Sequence, residues 1–144
     1  MQVTSSIEIN RPAAEVFDYV ADMSNNTEWQ NGQVRCTWTS EPPLRLGSTY
    51  DQEAKFLGKS ILSSFTVTEY EPGRCIRIVS NGGTMDIDVT RNVEPVTDTS
   101  CVVSAVVRGD PPAPMRILGP LLPIIVRGSV NKDYQRLKAH LEAI

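Results

Sequence analysis

The sequence predicts an α+β fold in which a curved antiparallel sheet of seven strands wraps around one long C-terminal helix. Three observations lead to this prediction. A strand-like segment opens the chain, and six more follow between residues 34 and 107. Tight turns join most of the later strands, which makes consecutive strands antiparallel neighbours. From Met115 onward the apolar period changes from two to between three and four, as in a helix.

Chain length and composition indicate one globular domain. The 144 residues are the usual size of a single domain, and we expect that domain to span residues 1–144. A chain of this length can bury about two-thirds of its surface. Apolar residues make up 40% and charged residues 22%, which excludes a wholly disordered chain. The net charge of −3 argues against nucleic-acid binding, because phosphate contacts require a basic face.

The first strand and the first helix follow from two different periods. Apolar and polar residues alternate over Val3–Ile9, which is typical of a half-buried strand. Pro12 suits the first turn of a helix, because a residue there needs no N–H donor. Ser24–Asn26 indicates a turn or a second short helix that leads to Trp29. Between these points, apolar residues recur at helical spacing up to Asp22, namely Ala13, Val16, Phe17 and Val20.

The six later strands are separated by turns that contain Gly or Pro. Glu71–Arg74 is predicted to form a turn because Pro72 fixes φ and Gly73 permits a positive φ. Ser80–Gly83 and Glu94–Asp98 are predicted as further turns. The strands are therefore predicted at Val34–Trp38, Gly47–Phe56, Ile61–Tyr70, Cys75–Val79, Met85–Thr90 and Cys101–Val107.

The last element is a helix that buries an apolar stripe against the sheet. After Gly109–Pro112 ends the sheet, apolar residues recur three or four apart from Met115 to Leu141. A continuous helix of that span would contain about 30 residues and be roughly 45 Å long. Pro120 and Pro123 are expected to kink this helix or to delay its regular start. A sheet wrapped around it covers the stripe.

Four segments give the chain a resemblance to a known superfamily. They are Ile7–Asp22 in the first strand and helix, Trp29 after the second helix, Tyr70–Arg74 in the middle of the sheet, and Leu137–Glu142 in the last helix. Together they resemble the Bet v 1-like, START-related superfamily, and within it the polyketide cyclase/dehydrase-like (SRPBCC) proteins. The resemblance spans the whole chain. It implies a helix-grip fold with a cavity between the sheet and the long helix.

The resemblance also implies apolar ligands such as lipids, polyketides, quinones or sterols. The composition fits a cavity, since aromatic residues are only 6% of the chain and large side chains to fill the interior are scarce. A pocket and a collapsed sheet both remain open at this point. The candidate cavity-lining residues, each of which is otherwise ordinary core, are Trp29, Trp38, Tyr50, Phe56, Phe65, Met85, Met115 and Leu118.

The titratable residues give no recognisable catalytic set. His140 is the only histidine and lies in a charged helix end. Asp86 and Asp88 share the polar face of a predicted strand and are expected to face water. The arginines at positions 35, 77 and 108 are possible partners for an anionic ligand, although solvent exposure is the commoner role. We assign no catalytic residue on this basis.

The cysteines and the apolar stretches of the sequence allow predictions about metal binding and cellular location. Cys36, Cys75 and Cys101 are isolated, with no CxxC pair, so we expect neither a metal nor a cofactor. Scattered thiols and the lack of a signal-like segment predict a cytoplasmic protein. The longest apolar stretch, Ile117–Val126, is about half the length of a bilayer span and contains Gly and Pro. We therefore expect no integral membrane anchor.

Three functions are compatible with these observations. The first is binding of a hydrophobic small molecule in the cavity. The second is catalysis of polyketide cyclisation or aromatisation, which two inward-facing titratable groups within hydrogen-bond reach would favour. The third is a protein-interaction module, which a filled core and an exposed apolar patch on Met115–Val126 would favour.

Overall fold

The computed structural model describes residues 1–111 and 113–144 and confirms the helix-grip architecture. Seven strands form one antiparallel sheet in the order β1-β7-β6-β5-β4-β3-β2. The strands are β1 (Gln2–Ile9), β2 (Gln33–Trp38), β3 (Thr49–Phe56), β4 (Lys59–Glu71), β5 (Cys75–Gly83), β6 (Asp86–Thr97) and β7 (Ser100–Asp110). The helices are α1 (Ala13–Ala21), α2 (Asn26–Trp29), α3 (Ala113–Arg116) and α4 (Leu121–Glu142), with a 3₁₀ turn at Met23–Asn25.

Strand β7 lies in the interior of the sheet, with β1 on one side and β6 on the other. Its pairing with β1 runs from Gln2 opposite Arg108 to Ile9 opposite Cys101. This position accounts for the unusual pattern of β7, which is apolar on both phases. The strand contributes backbone hydrogen bonds to two neighbours and buries Val103 and Ala105 completely or nearly so.

Strands β5, β6 and β7 extend furthest beyond the ranges that the sequence predicts. The predicted turns Ser80–Gly83 and Glu94–Asp98 are largely strand, and β7 continues to Asp110. Gly83 still pairs with Ser63, and Glu94 with Val102, so partner strands extend segments whose composition resembles turns. A side chain at Gly83 would meet the Leu62 carbonyl oxygen at 2.0 Å, which explains a glycine within the pairing. Pro112, part of the predicted sheet break, lies outside the described residues.

The long helix begins late, as Pro120 and Pro123 predict. A single turn, α3, precedes Gly119, whose φ of +52° turns the chain before α4 starts. Pro120 is the N-cap residue and Pro123 lies in the first turn, where a missing N–H costs little. The regular helix is therefore 22 residues long instead of about 30.

Two apolar clusters fill the space between the sheet and the helices. The larger one is built on Phe17, Trp29, Tyr50, Phe65 and Leu137 from α1, α2, β3, β4 and α4. The smaller one contains, among the described residues, the buried side chains of Ile61, Met115 and Leu122. Partly buried Ile87 contacts both clusters. The core is thus divided, and the space near Ile87 positions the candidate site.

Candidate ligand cavity

A cleft with two adjoining lobes lies between the inner face of the sheet and helix α4. The outer lobe has a volume of about 200 Å³ and the inner lobe about 160 Å³. Small-molecule sites usually enclose about 300–1,000 Å³, so the two lobes together lie near the lower end of that range. The lobes are contiguous because they share the lining residues Gln30, Gln33, Ile87, Val107, Val130 and Asp133.

The outer lobe is mostly apolar. Inward-facing side chains of β3, β4 and β6 contact helices α3 and α4 in this lobe. Ile87 and Val107 face inward as well, yet they are only half-buried. Their partial exposure reflects the open space beside them. The solvent-exposed residues Lys55 and Arg108 also line this lobe. Its other apolar lining residues are Met1, Ala54, Phe56, Ile61, Met85, Pro111, Met115, Leu122, Val126 and Val130.

The inner lobe contains a buried arginine. Along β6 the period of two places Arg91 on the same face as Ile87 and Val89, where it is only 4% exposed. Its Nη1 donates to the Val20 carbonyl oxygen at 2.8 Å and to Asn26 Oδ1 at 3.1 Å. The guanidinium carbon lies 5.0 Å from the centre of the Trp29 ring, a cation–π contact. Among the described residues, Arg91 Nε has no hydrogen-bond partner.

Other polar atoms surround this guanidinium. Trp29 Nε1 and Gln33 Oε1 are buried and have no hydrogen-bond partner within the described chain. The Tyr134 ring packs edge-on against Trp29 with 4.9 Å between ring centres. Burial raises the pKa of Tyr134, and nearby Arg91 only partly opposes that effect, so the hydroxyl stays protonated at neutral pH. The residues that line the inner lobe therefore include two buried donors without a described partner, Arg91 Nε and Trp29 Nε1, and one such acceptor, Gln33 Oε1.

Asp133 lies at the boundary between the two lobes. It is 9% exposed, and its Oδ1 accepts hydrogen bonds from the Asn31 N–H at 3.0 Å and from Arg136 Nη1 at 2.6 Å. Burial raises the pKa of this carboxyl group, while the two donors and the Arg91 charge lower it. The rise prevails, so the folded protein disfavours the ionised form.

The structure brings five of the eight predicted lining residues to the cleft. Phe56, Met85 and Met115 line the outer lobe, and Trp29 and Phe65 line the inner one. Their role in binding stays a prediction.

The other three predicted residues lie elsewhere. Tyr50 is buried between Trp38 and Phe65, with ring centres 5.2 and 5.0 Å away. Leu118 packs against the small cluster around Met115. Trp38 lines a separate groove of about 430 Å³ beside α1, where its Nε1 donates to Asp22 Oδ1 at 2.8 Å.

The buried arginine of the cleft, Arg91, is not one that the sequence analysis selected, although Arg108, which it did select, lines the outer lobe. Arg35 and Arg108 are exposed, and Arg77 bonds Asp88 at 2.7 Å and Glu69 at 3.1 Å on the outer side of the sheet. The sequence nevertheless indicates that Arg91 is buried, because Arg91 follows Ile87 and Val89 at a spacing of two and so lies on the same, apolar face of the strand. A charged residue among the inward-facing apolar residues of a strand is the pattern that indicates a buried arginine.

Two further residues that the sequence analysis considered lie outside the cleft. His140 lies 3.8 Å from Glu28 and packs against the Tyr19 ring, and it does not line the cleft. Asp86 is exposed, as predicted.

Within residues 1–111 and 113–144, no group of three or more His, Cys, Asp or Glu side chains is arranged to hold a metal ion. No helix in these two segments is long and apolar enough to cross a membrane.

Comparison with known families identifies the family of the chain. The model of the family described as polyketide cyclase / dehydrase and lipid transport matches residues 1–142. The chain belongs to this family. The match confirms the superfamily that the sequence motifs indicated, and the family description covers both catalysts and lipid carriers. No curated protein matches the chain.

Solved structures of other proteins share the fold over almost the whole chain. A protein of Thermus thermophilus has a TM-score of 0.84 at 14% identity and covers 99% of this chain and 98% of its own. A START superfamily protein from Mycobacterium smegmatis has a TM-score of 0.82 at 14% identity, with 99% and 97% covered. The Zhui aromatase/cyclase from a Streptomyces species has a TM-score of 0.73 at 11% identity, with 99% and 93% covered. At these identities the likeness shows the fold alone.

Proposed function

We propose that this protein binds one apolar small molecule in the cleft between the sheet and α4. The observation that carries the proposal is the two-lobed cleft itself, which interrupts the core at Ile87 and leaves inward-facing apolar side chains half-buried. Water in contact with this apolar lining is unfavourable, so a ligand that replaces it gains the hydrophobic free energy. The family, whose description includes lipid transport, supports the same interpretation.

Titration with a neutral apolar fluorophore, N-phenyl-1-naphthylamine, tests the proposal. Val130 lines both lobes, so Val130→Phe fills the cleft, whereas Val34→Phe adds the same group to an outer position that is 52% exposed. We expect saturable binding with one site in the wild type and in Val34→Phe. Val130→Phe should weaken binding by about tenfold or more, since a loss of about 1.4 kcal/mol has that effect. An unsaturable signal, or equal binding by both variants, would contradict the proposal.

A cyclase or aromatase is the second candidate, and the inner lobe favours it. Arg91 and Tyr134 both face this lobe close to one another, so they would polarise a substrate carbonyl and donate to a developing enolate oxygen. Incubation with a linear poly-β-ketone thioester, followed by absorbance of the aromatic product, tests this candidate. Conversion by the wild type that Tyr134→Phe abolishes would support catalysis, and unchanged substrate would leave the binding role alone.

A further inference from the structure

The inner lobe holds a buried charge, whereas the outer lobe is lined mostly by apolar side chains and by the solvent-exposed residues Lys55 and Arg108. This difference between the lobes specifies more than an apolar ligand. We infer that the ligand is an amphiphile with a single acidic head group, a carboxylate, that is held by Arg91 in the inner lobe. Its apolar part extends into the outer lobe toward Met85 and Met115. This inference rests on the proposed binding function and adds the chemical class of the ligand.

The first argument is the cost of burying Arg91. A guanidinium that is 4% exposed has lost nearly all of its water. A buried charge is tolerated when an opposite charge and hydrogen bonds replace that water. Here Nη1 donates to the neutral acceptors Val20 O, Asn26 Oδ1 and Met23 Sδ, and Nε has no partner among the described residues. The charge is solvated by dipoles and a ring face, but it is not neutralised.

The second argument is the lack of a carboxylate partner. Within residues 1–111 and 113–144, none of the ion pairs involves Arg91. Asp133 is the carboxyl group that lines the same cleft, and its Oδ1 is engaged by Asn31 and Arg136. Of the arginines that the sequence analysis considered, Arg35 and Arg77 lie on the outside, and Arg108 lines the outer lobe from a solvent-exposed position. The inner lobe therefore offers a positive charge whose natural complement is absent from this part of the chain.

The third argument is the set of donors around the arginine. Trp29 Nε1 is buried without a partner among the described residues, and Trp29 lines the same lobe as Arg91. The protonated Tyr134 hydroxyl is a further donor there. A carboxylate has two oxygens with about four acceptor positions, so it can satisfy the free Nε and a second donor at once. A neutral hydroxyl or ester cannot balance the charge.

The experiment compares two ligands that differ only in the head group, decanoate and decan-1-ol, as competitors of N-phenyl-1-naphthylamine at neutral pH. A charge-assisted hydrogen bond contributes about 1.5–3 kcal/mol, so wild-type protein should prefer decanoate by about 10- to 100-fold. Arg91→Gln should weaken decanoate by the same factor and change decanol by less than about twofold. Arg91→Lys, which keeps the charge but loses the planar fork, should retain part of the preference.

The matched control is Arg35→Gln, which removes the same charge from an exposed position on β2. It should leave the preference for decanoate unchanged, and an equal loss in this variant would overturn the inference by showing a general effect of net charge. Circular dichroism checks that each variant is folded. The wild-type comparison needs no variant, so the test survives if Arg91→Gln does not fold.

The outcomes separate the two proposals. If decanol and decanoate compete equally well in the wild type, the binding function stands and the acidic head group is refuted. If N-phenyl-1-naphthylamine binds in the cleft but decanoate competes less well than decanol, the inference is refuted more strongly. If no apolar probe binds, the proposed function fails and the inference fails with it.

Discussion

Asp133 and Asp88 show how position decides what a carboxyl group does for stability. Asp133 is almost fully buried beside the cleft, and burial is the main cause of its raised pKa. Asp88 lies on the outer face of β6, where hydrogen bonds from Arg77 lower its pKa. The two residues therefore contribute to stability with opposite signs as the pH changes.

We expect Asp133→Asn to stabilise the protein at neutral pH. The pKa of Asp133 is raised above its ordinary value of 3.8, so the folded state binds this proton more tightly than the unfolded state does. The free energy of unfolding then falls as pH rises from 3.8 through the folded pKa. Asn does not ionise, so Asp133→Asn avoids this loss of stability. Because Arg136 and water screen the charge, the gain should be no more than about 1 kcal/mol. Urea denaturation at about pH 7 and about pH 4 should show a gain that shrinks on acidification.

Asp88→Asn is the matched control for this effect. The pKa of Asp88 is lowered, so its contribution to stability is present above 3.8 and is lost as pH falls through the folded pKa. Asp88→Asn should therefore destabilise slightly at neutral pH, by less than about 1 kcal/mol because the pair is at the surface. Equal signs for the two variants at neutral pH would contradict the assignment of burial as the cause.

At the scale of elements, α4 has two unlike halves. Its C-terminal half buries Tyr134, Leu137 and Leu141 in the main core. Its N-terminal half leaves Leu121 and Ile124 exposed beside the small cluster. The apolar stripe in the sequence thus predicts the helix, but it does not predict how deeply each helical turn is buried. That depth depends on which turns the sheet covers.

Leu137→Ala measures what the buried half contributes. Leu137 is 0% exposed, and loss of its side chain should cost about 2–5 kcal/mol, a transfer term plus a cavity term. Ile124→Ala, at a position that is 62% exposed, should change stability by less than about 0.5 kcal/mol. Urea denaturation measures both. Similar losses for the two variants would show that the N-terminal half of α4 is packed as tightly as the C-terminal half.

At the scale of the whole molecule, the first strand ties the two ends of the chain together. Besides the pairing of β1 with β7, Ser5 Oγ donates to Asn131 Oδ1 at 2.7 Å. Lys138 Nζ donates to the Glu8 carbonyl oxygen at 2.8 Å, and the Asn10 N–H donates to Glu142 Oε2 at 2.8 Å. Strand β1 and helix α4 cannot separate without breaking these long-range contacts.

We therefore expect the chain to unfold as a single domain. Trp29 reports on the contact between α2 and α4, Trp38 reports on the edge of the sheet, and far-UV circular dichroism reports on the backbone of both. Urea transitions followed by tryptophan fluorescence and by circular dichroism should coincide, as in a two-state reaction. A helix signal that is lost before the fluorescence change would contradict a single cooperative unit.

The amino-acid sequence determined the elements, because periods of two and of three to four are local properties of the chain. It predicted seven strands, the late start of the long helix after Pro120 and Pro123, and the family. It misplaced the ends of β5 and β6, since pairing with neighbouring strands decided where turn-like residues such as Gly83 and Glu94 remain in the sheet.

Only the tertiary structure decided which side chains meet at the cleft. Spacing placed Trp38, Tyr50 and Phe65 alike on inward faces, yet Tyr50 fills core, Trp38 lines another groove and Phe65 lines the inner lobe. Arg91 stood in an apolar phase, but its burial and the absence of a described ion-pair partner depend on the packing of Trp29 and Tyr134 around it. Distances between residues far apart in the chain are set by packing, which a local pattern does not encode.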